Sequence, residues 1–142
     1  MKMKKLQFSI EIKATKEKVW NTLWDDNTFR DWANNIDEGM YMIGIMEEGN
    51  EVQFMSPTGY GVTSLIKKLV KNQFVSFRHM ADTKDSGLRE KEWTGGEESY
   101  SLKECDGITT LTVALDTPPE QVENFNNSLP KALKRIKELA EK

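Results

Sequence analysis

Leu6, Phe8, Ile10 and Ile12 alternate with Gln7, Ser9 and Glu11, so residues 4–13 read as a strand with one buried face. At residue 14 the period changes. Thr15 stands where an N-cap belongs, and Glu17 falls in the first turn, where the helix dipole favours an acid. Val19, Trp20 and Leu23 follow at helical spacing, and the helix is expected to end near Asp25-Asp26. A second short helix is predicted through Phe29 and Trp32, capped by Asp26 or Asn27, with Asn34-Asn35 and Gly39 as its exit.

From 40 to 117 the pattern is that of strands. Residues 40–46 and 52–56 flank the turn Glu47-Glu48-Gly49-Asn50, and Pro57-Thr58-Gly59 turns again. A long strand over 60–70, the turn Lys71-Asn72-Gln73 and a strand over 74–81 come next. Residues 82–97 are a polar excursion. Strands over 99–104 and 108–116 flank Asp106-Gly107, a strong hairpin signal. Pro118-Pro119 ends the sheet. Val122, Phe125, Leu129, Leu133, Ile136 and Ala140 then form one apolar stripe of a helix over 120–141, with Pro130 inside it as an expected kink.

Local hairpins between helices imply an α+β domain. The simplest burial solution is a curved antiparallel sheet wrapped around the long C-terminal helix, with two short helices between the first two strands. An internal cavity follows from such a curl. At 142 residues the chain is expected to form a single domain with one real core.

Composition narrows the function classes. With 20 basic and 23 acidic residues the net charge is −3, which argues against a nucleic-acid binder. No stretch approaches the roughly 20 apolar residues of a membrane helix, so no membrane insertion is expected. The start is broken at every second position by polar residues and does not read as a signal peptide, so a cytoplasmic location is expected. Cys105 is the sole cysteine, which excludes an internal disulfide. Without a secretion signal the sequon Asn126-Asn127-Ser128 carries little weight.

The segment from Ala14 through Glu17, Val19, Trp20, Leu23 and Asp25 to Phe29 and Trp32 resembles a family signature. It is similar to the A-x-x-E-x-V-W-x-x-L-T-D opening of START-like domains, also called SRPBCC or birch-pollen-allergen-like helix-grip proteins. Within them the likeness is greatest to the family related to the activator of heat-shock protein 90 ATPase, the AHSA type. Residues 10–32 carry the motif, and element order extends the likeness over the chain. Trp24 stands where the family usually has Thr, and Asn124-Phe125 where many relatives have Gly-Trp. The resemblance implies a helix-grip fold, with a seven-stranded sheet over a hydrophobic cavity. Relatives bind lipids, sterols, polyketides or plant hormones. A minority are enzymes, and relatives of the chaperone activator bind the chaperone.

Recognised catalytic and cofactor motifs are missing. One histidine and one cysteine cannot build a structural zinc site. Gly59-Tyr60-Gly61 precedes a strand rather than a helix, and no Gly-x-Ser-x-Gly elbow occurs, so no cofactor and no metal are expected. His79 is the most interesting polar residue. It shares a strand face with Val75 and Phe77, and if that face points inward an imidazole sits in the cavity wall. If the face of Phe74, Ser76, Arg78 and Met80 is the inner one, Arg78 becomes the group to pair an acidic ligand. The acid pairs Asp37-Glu38 and Glu97-Glu98 read as solvated turn or cap residues.

The leading reading is non-catalytic binding of a small, largely apolar ligand between sheet and C-terminal helix. Phe77, Tyr100, Phe125 and Leu129 are expected to line the cavity, Trp32 to sit at its mouth, and His79 to orient the ligand. Trp93, out of place in the polar excursion, is expected either to touch the ligand from a lid or to anchor its loop. Methionines such as Met40, Met42 and Met46 suit an adaptable wall. The alternatives are a protein-interaction module of the chaperone-activator type, using the basic end of the last helix, and a cyclase- or hydrolase-like enzyme with His79 as base.

Overall fold

The computed structural model describes residues 3–84, 89–90 and 96–142, with side chains described outside 81–95. Strand β1 (Lys4–Ile12) is followed by helices α1 (Lys16–Trp24) and α2 (Asp26–Ala33). Strands β2 (Tyr41–Ile43), β3 (Glu51–Met55), β4 (Tyr60–Val70) and β5 (Phe74–Lys84) come next. The two-residue β6 (Arg89–Glu90), then β7 (Glu97–Cys105) and β8 (Ile108–Thr117) lead through a 3-10 turn (Pro119–Gln121) into helix α3 (Val122–Ala140).

All pairings are antiparallel, in the order β1-β8-β7-β5-β4-β3-β2, with β6 attached to β5. β1 therefore lies at one edge and β2 at the other. α1 and α2 carry the chain between those edges, and that crossing places α2 over the inner face of the sheet. The seven expected strands form a curved sheet around the C-terminal helix. Two register irregularities, between Thr63/Ser64 and Ile66/Lys68, help to bend β4 against β5.

Local chemistry explains most boundaries. The Thr15 hydroxyl accepts from the Lys18 amide at 3.2 Å and starts α1. The cap of α2 is Asp25 rather than Asp26 or Asn27, because α1 runs to Trp24 and leaves one extended residue between the helices. β2 is shorter than the expected 40–46. Gly44 has φ 121°, and a Cβ there would lie 2.9 Å from Val52 Cγ1, so the chain leaves the ladder at a residue that needs glycine. Asp106 and Gly107 both have positive φ, as a tight hairpin demands. The polar excursion begins later than expected, because β5 continues to Lys84 and pairs with β4 as far as Tyr60. α3 is helical through Pro130.

The core is a cluster of aromatic rings between sheet and helices. Trp24 is its centre. Its ring lies 4.9 Å from Tyr100, 5.6 Å from Phe77, 6.3 Å from Trp20 and Phe29, and 6.4 Å from Trp32, mostly edge-on. Arg135 of α3 clamps Asp31 of α2 with two hydrogen bonds of 2.7 and 2.9 Å. The end of α3 is tied to the sheet where Lys137 Nζ donates to the Glu11 carbonyl and Glu141 accepts from the Lys13 amide.

Candidate functional site

An apolar cavity of about 380 Å³ opens between α2, the first turns of α3 and the inner face of the sheet. Phe29 and Trp32 come from α2, and Ile36, Asp37 and Met40 from the segment after it. The sheet supplies Phe54, Gly61, Val62, His79, Glu98, Tyr100, Val113 and Leu115, and α3 adds Asn124, Phe125 and Leu129. A larger depression of about 910 Å³ lies on the outer face of the sheet. It is open and lined about equally by polar and apolar surface, and two of its lysines are already paired, Lys5 with Asp116 at 3.0 Å and Lys67 with Glu97 at 2.9 Å. The deeper, more apolar cavity is the better candidate, because ligand sites are concave, mostly apolar and equipped with few polar groups.

The face of Val75, Phe77 and His79 is the inner one. Arg78 and Met80 are exposed on the outside, so the acid-pairing alternative through Arg78 is closed. The bulges that bend β4 keep Ser64 opposite His79. The Ser64 hydroxyl lies 2.8 Å from His79 Nδ1, and the His79 amide donates to the Gly96 carbonyl at 2.8 Å. On the other side of the ring, Nε2 is 3.9 Å from Glu98 Oε1. Glu98 Oε2 accepts the Tyr100 hydroxyl at 2.7 Å. Neighbouring strands β4, β5 and β7 thus carry a polar row of Ser64, His79, Glu98 and Tyr100 through an apolar wall. The Glu98 carboxylate favours the proton on Nε2, which leaves Nδ1 to accept from Ser64.

Burial lowers the His79 pKa below its usual 6.5, against the upward pull of Glu98 and Asp116, so the ring is neutral at pH 7. Burial also pushes the Tyr100 phenol well above 10.0, and Glu98 adds to the shift, so this hydroxyl keeps its proton and donates. Asp37 is raised by desolvation from its ordinary carboxylate value. Ser64 is fully buried behind the imidazole, a position that suits holding the ring and not attacking a substrate.

The expected site residues separate into three groups. His79, Tyr100, Phe125 and Leu129 lie on the cavity wall. Trp32 does too, but as a wall and not at the mouth. It is 2% exposed, and its indole N–H is spent on the Leu23 carbonyl at 3.1 Å. Phe77 does not line the cavity. It sits one layer below, edge-on to Phe54 at 5.3 Å and Trp24 at 5.6 Å. Trp93 lies outside the described residues. Of the three methionines only Met40 reaches the wall, while Met42 and Met46 pack on the core.

Sequence reasoning missed Glu98, Asp37 and Ser64. Glu97-Glu98 does not sit at a turn, because β7 starts at Glu97. Alternation sends Glu97 out to Lys67 and Glu98 in to Tyr100. The signal was present: Tyr100 and Leu102 share a face, and one more step of two along it reaches Glu98. Among the described residues no group of acids, histidine and cysteine is placed to hold a metal ion.

The comparisons bear on the same fold. The family model described as Activator of Hsp90 ATPase homolog 1-like protein matches residues 13–141. The chain belongs to this AHSA1-like family. Its fold is shared by the solution structure of the Aha1 dimer from Colwellia psychrerythraea, at TM-score 0.76 and 22% identity over 98% of this chain and 97% of that one. CalU16 from Micromonospora echinospora aligns at TM-score 0.68 and 14% identity, over 97% of this chain and 76% of that one. DynU16, from the dynemicin biosynthetic locus, aligns at TM-score 0.70 and 14% identity, over 94% of this chain and 46% of that one. These identities speak for the AHSA1-like fold alone. No curated protein matches the sequence. Among the described residues no helix is long and apolar enough to cross a membrane.

Proposed function

We propose that the chain is one START-like domain that binds a small, largely apolar molecule in the cavity between α2, α3 and the sheet, without transforming it. The observation that carries this reading is the cavity itself. Its volume of about 380 Å³ falls at the small end of the range of ligand sites. Aromatic and aliphatic walls supply the contact area, and the row of His79, Glu98 and Tyr100 supplies orientation. One protein of similar fold, DynU16, comes from the dynemicin biosynthetic locus, and molecules of that biosynthetic class join a first panel.

Thermal unfolding against fatty acids, sterols, isoprenoids, flavonoids and aromatic polyketides tests the reading. A ligand at 100 times its Kd adds about 2.7 kcal/mol, and about 1 kcal/mol moves the midpoint of a chain this size by roughly 2–4 °C or a little more. Phe125→Trp, which fills the cavity from the first turns of α3, is expected to abolish the shift and leave the fold intact. A flat panel, or unchanged affinity in Phe125→Trp, counts against the cavity.

The family description favours a second reading, a protein-interaction module of the chaperone-activator type. The basic end of α3 is its candidate surface. Arg135 and Lys137 are already engaged with Asp31 and Glu141, so the clean test is reversal of the exposed Lys131 and Lys134 to Glu. Loss of chaperone binding in that variant supports the second reading. An enzymatic reading would use His79 with Glu98, and requires turnover that His79→Ala removes while binding persists.

A further inference from the structure

The charged groups of the cavity wall are of one sign. Among the described residues its wall holds two carboxylates, Glu98 and Asp37, and neither lysine nor arginine. Glu98 stands at the inner end, with its side chain 22% exposed, and Asp37 stands at the rim. An ionised carboxylate is an acceptor only, with about four lone-pair sites on two oxygens. The Tyr100 hydroxyl occupies one of these on Oε2 and spends its own proton in doing so. Acceptor capacity remains on Glu98 and on the Tyr100 oxygen, while the donors of the described wall are the His79 ring N–H, turned to Glu98, and the Asn124 amide, which donates to Gln121 at 3.4 Å. The neutral imidazole of His79 adds no positive charge to offset it.

This decides what can enter. A carboxylate or phosphate would lose its water beside a fixed like charge, with no cation in the described wall to receive it. An amine or hydroxyl would meet an acceptor already held in place by Tyr100, and a charge-assisted hydrogen bond is among the stronger ones. We propose that the cavity selects small apolar molecules that end in a hydrogen-bond donor, an amine or a hydroxyl, and rejects apolar anions, with Glu98 as the specificity-determining group. This rests on the reading of the cavity as a ligand site.

A matched series tests it: naphthylmethylamine, naphthylmethanol, methylnaphthalene and naphthoate, which share a bicyclic body and differ in the polar end. Isothermal titration is done on the full chain near pH 7.5, where amine and acid are both charged. The amine is expected to bind roughly tenfold to hundredfold more tightly than naphthoate, with the alcohol between them. In Glu98→Gln, which keeps size and an acceptor for Tyr100, the ratio of amine to naphthoate affinity should fall about tenfold, with methylnaphthalene unchanged. Asp37→Asn at the rim, remote from the core, should lower the same ratio by a smaller factor and covers the case of a Glu98 variant that fails to fold. Naphthoate binding as well as the amine, or a preference that survives both variants, overturns the assignment while the cavity reading stands. No binding by any of the four compounds overturns both.

Discussion

His79 is held neutral by its surroundings, and that has a sign. Its folded pKa lies below 6.5, the unfolded value, so the unfolded chain takes up the proton first as the pH falls. Stability from this site is full above about pH 6.5 and is lost below it, until the folded ring titrates as well. The slope in that window is at most about 1.4 kcal/mol per pH unit. His79→Gln removes the group. Urea midpoints at two pH values, one on each side of this window, should fall further apart for the native chain than for the variant, and equal differences would refute the buried neutral ring. Trp24 makes a second residue-scale case. It touches five other rings, yet among the described residues its Nε1 has no hydrogen-bond partner. Trp24→Ala is expected to cost about 3–5 kcal/mol in chemical denaturation, as for other large core truncations. This residue departs from the expected family pattern, and the departure fills the centre of the core.

At the scale of elements, the strands and helices were largely legible because their periods are set by burial on one side. Alternation marked β1 and β8, and the apolar stripe marked α3. The errors fell where a backbone angle or a neighbour decides. Gly44 shortens β2 through its positive φ, and pairing with β4 lengthens β5 into a segment that reads as loop. The candidate site was legible in part for the same reason. Tyr100, Phe125 and Leu129 follow from the period, whereas Glu98 became visible only once β7 was seen to begin two residues earlier. Phe77 shows the opposite limit, since a residue on the inner face of a sheet can lie beneath the cavity instead of beside it. Gly61 is the element-scale position most exposed to change. A Cβ there would lie 2.2 Å from the Phe54 carbonyl oxygen and 2.7 Å from Met55 Sδ, and the carbonyl belongs to the β3–β4 ladder. Gly61→Ala should lower the unfolding free energy by about 1–3 kcal/mol, as overpacking does. An unchanged denaturation midpoint would mean that β3 yields at no cost.

For the whole molecule, the two ends of the sheet order set the architecture. β1 pairs with β8, about a hundred residues away in sequence, and the helices between β1 and β2 roof the space left between them. A sheet curved this way leaves room beneath its roof, and the side chains of α3 fill only part of it. The rear of α3 is fastened to α2 and to β1 by Arg135 and Lys137, and Leu133, Ile136 and Ala140 are buried there. The front, with Asn124, Phe125 and Leu129, borders the cavity. Pro130 separates the two. It has no N–H to offer the carbonyl of Asn126, so one rung of the helical ladder is missing at the division. The helix is therefore two segments of unequal strength in one continuous run. Amide exchange should be faster over 122–129 than over 133–140, and an occupied cavity should slow the front segment alone. In that case the missing rung is a seam: behind it α3 is riveted to its neighbours, and ahead of it the same helix is held by little more than the wall it lends to the cavity.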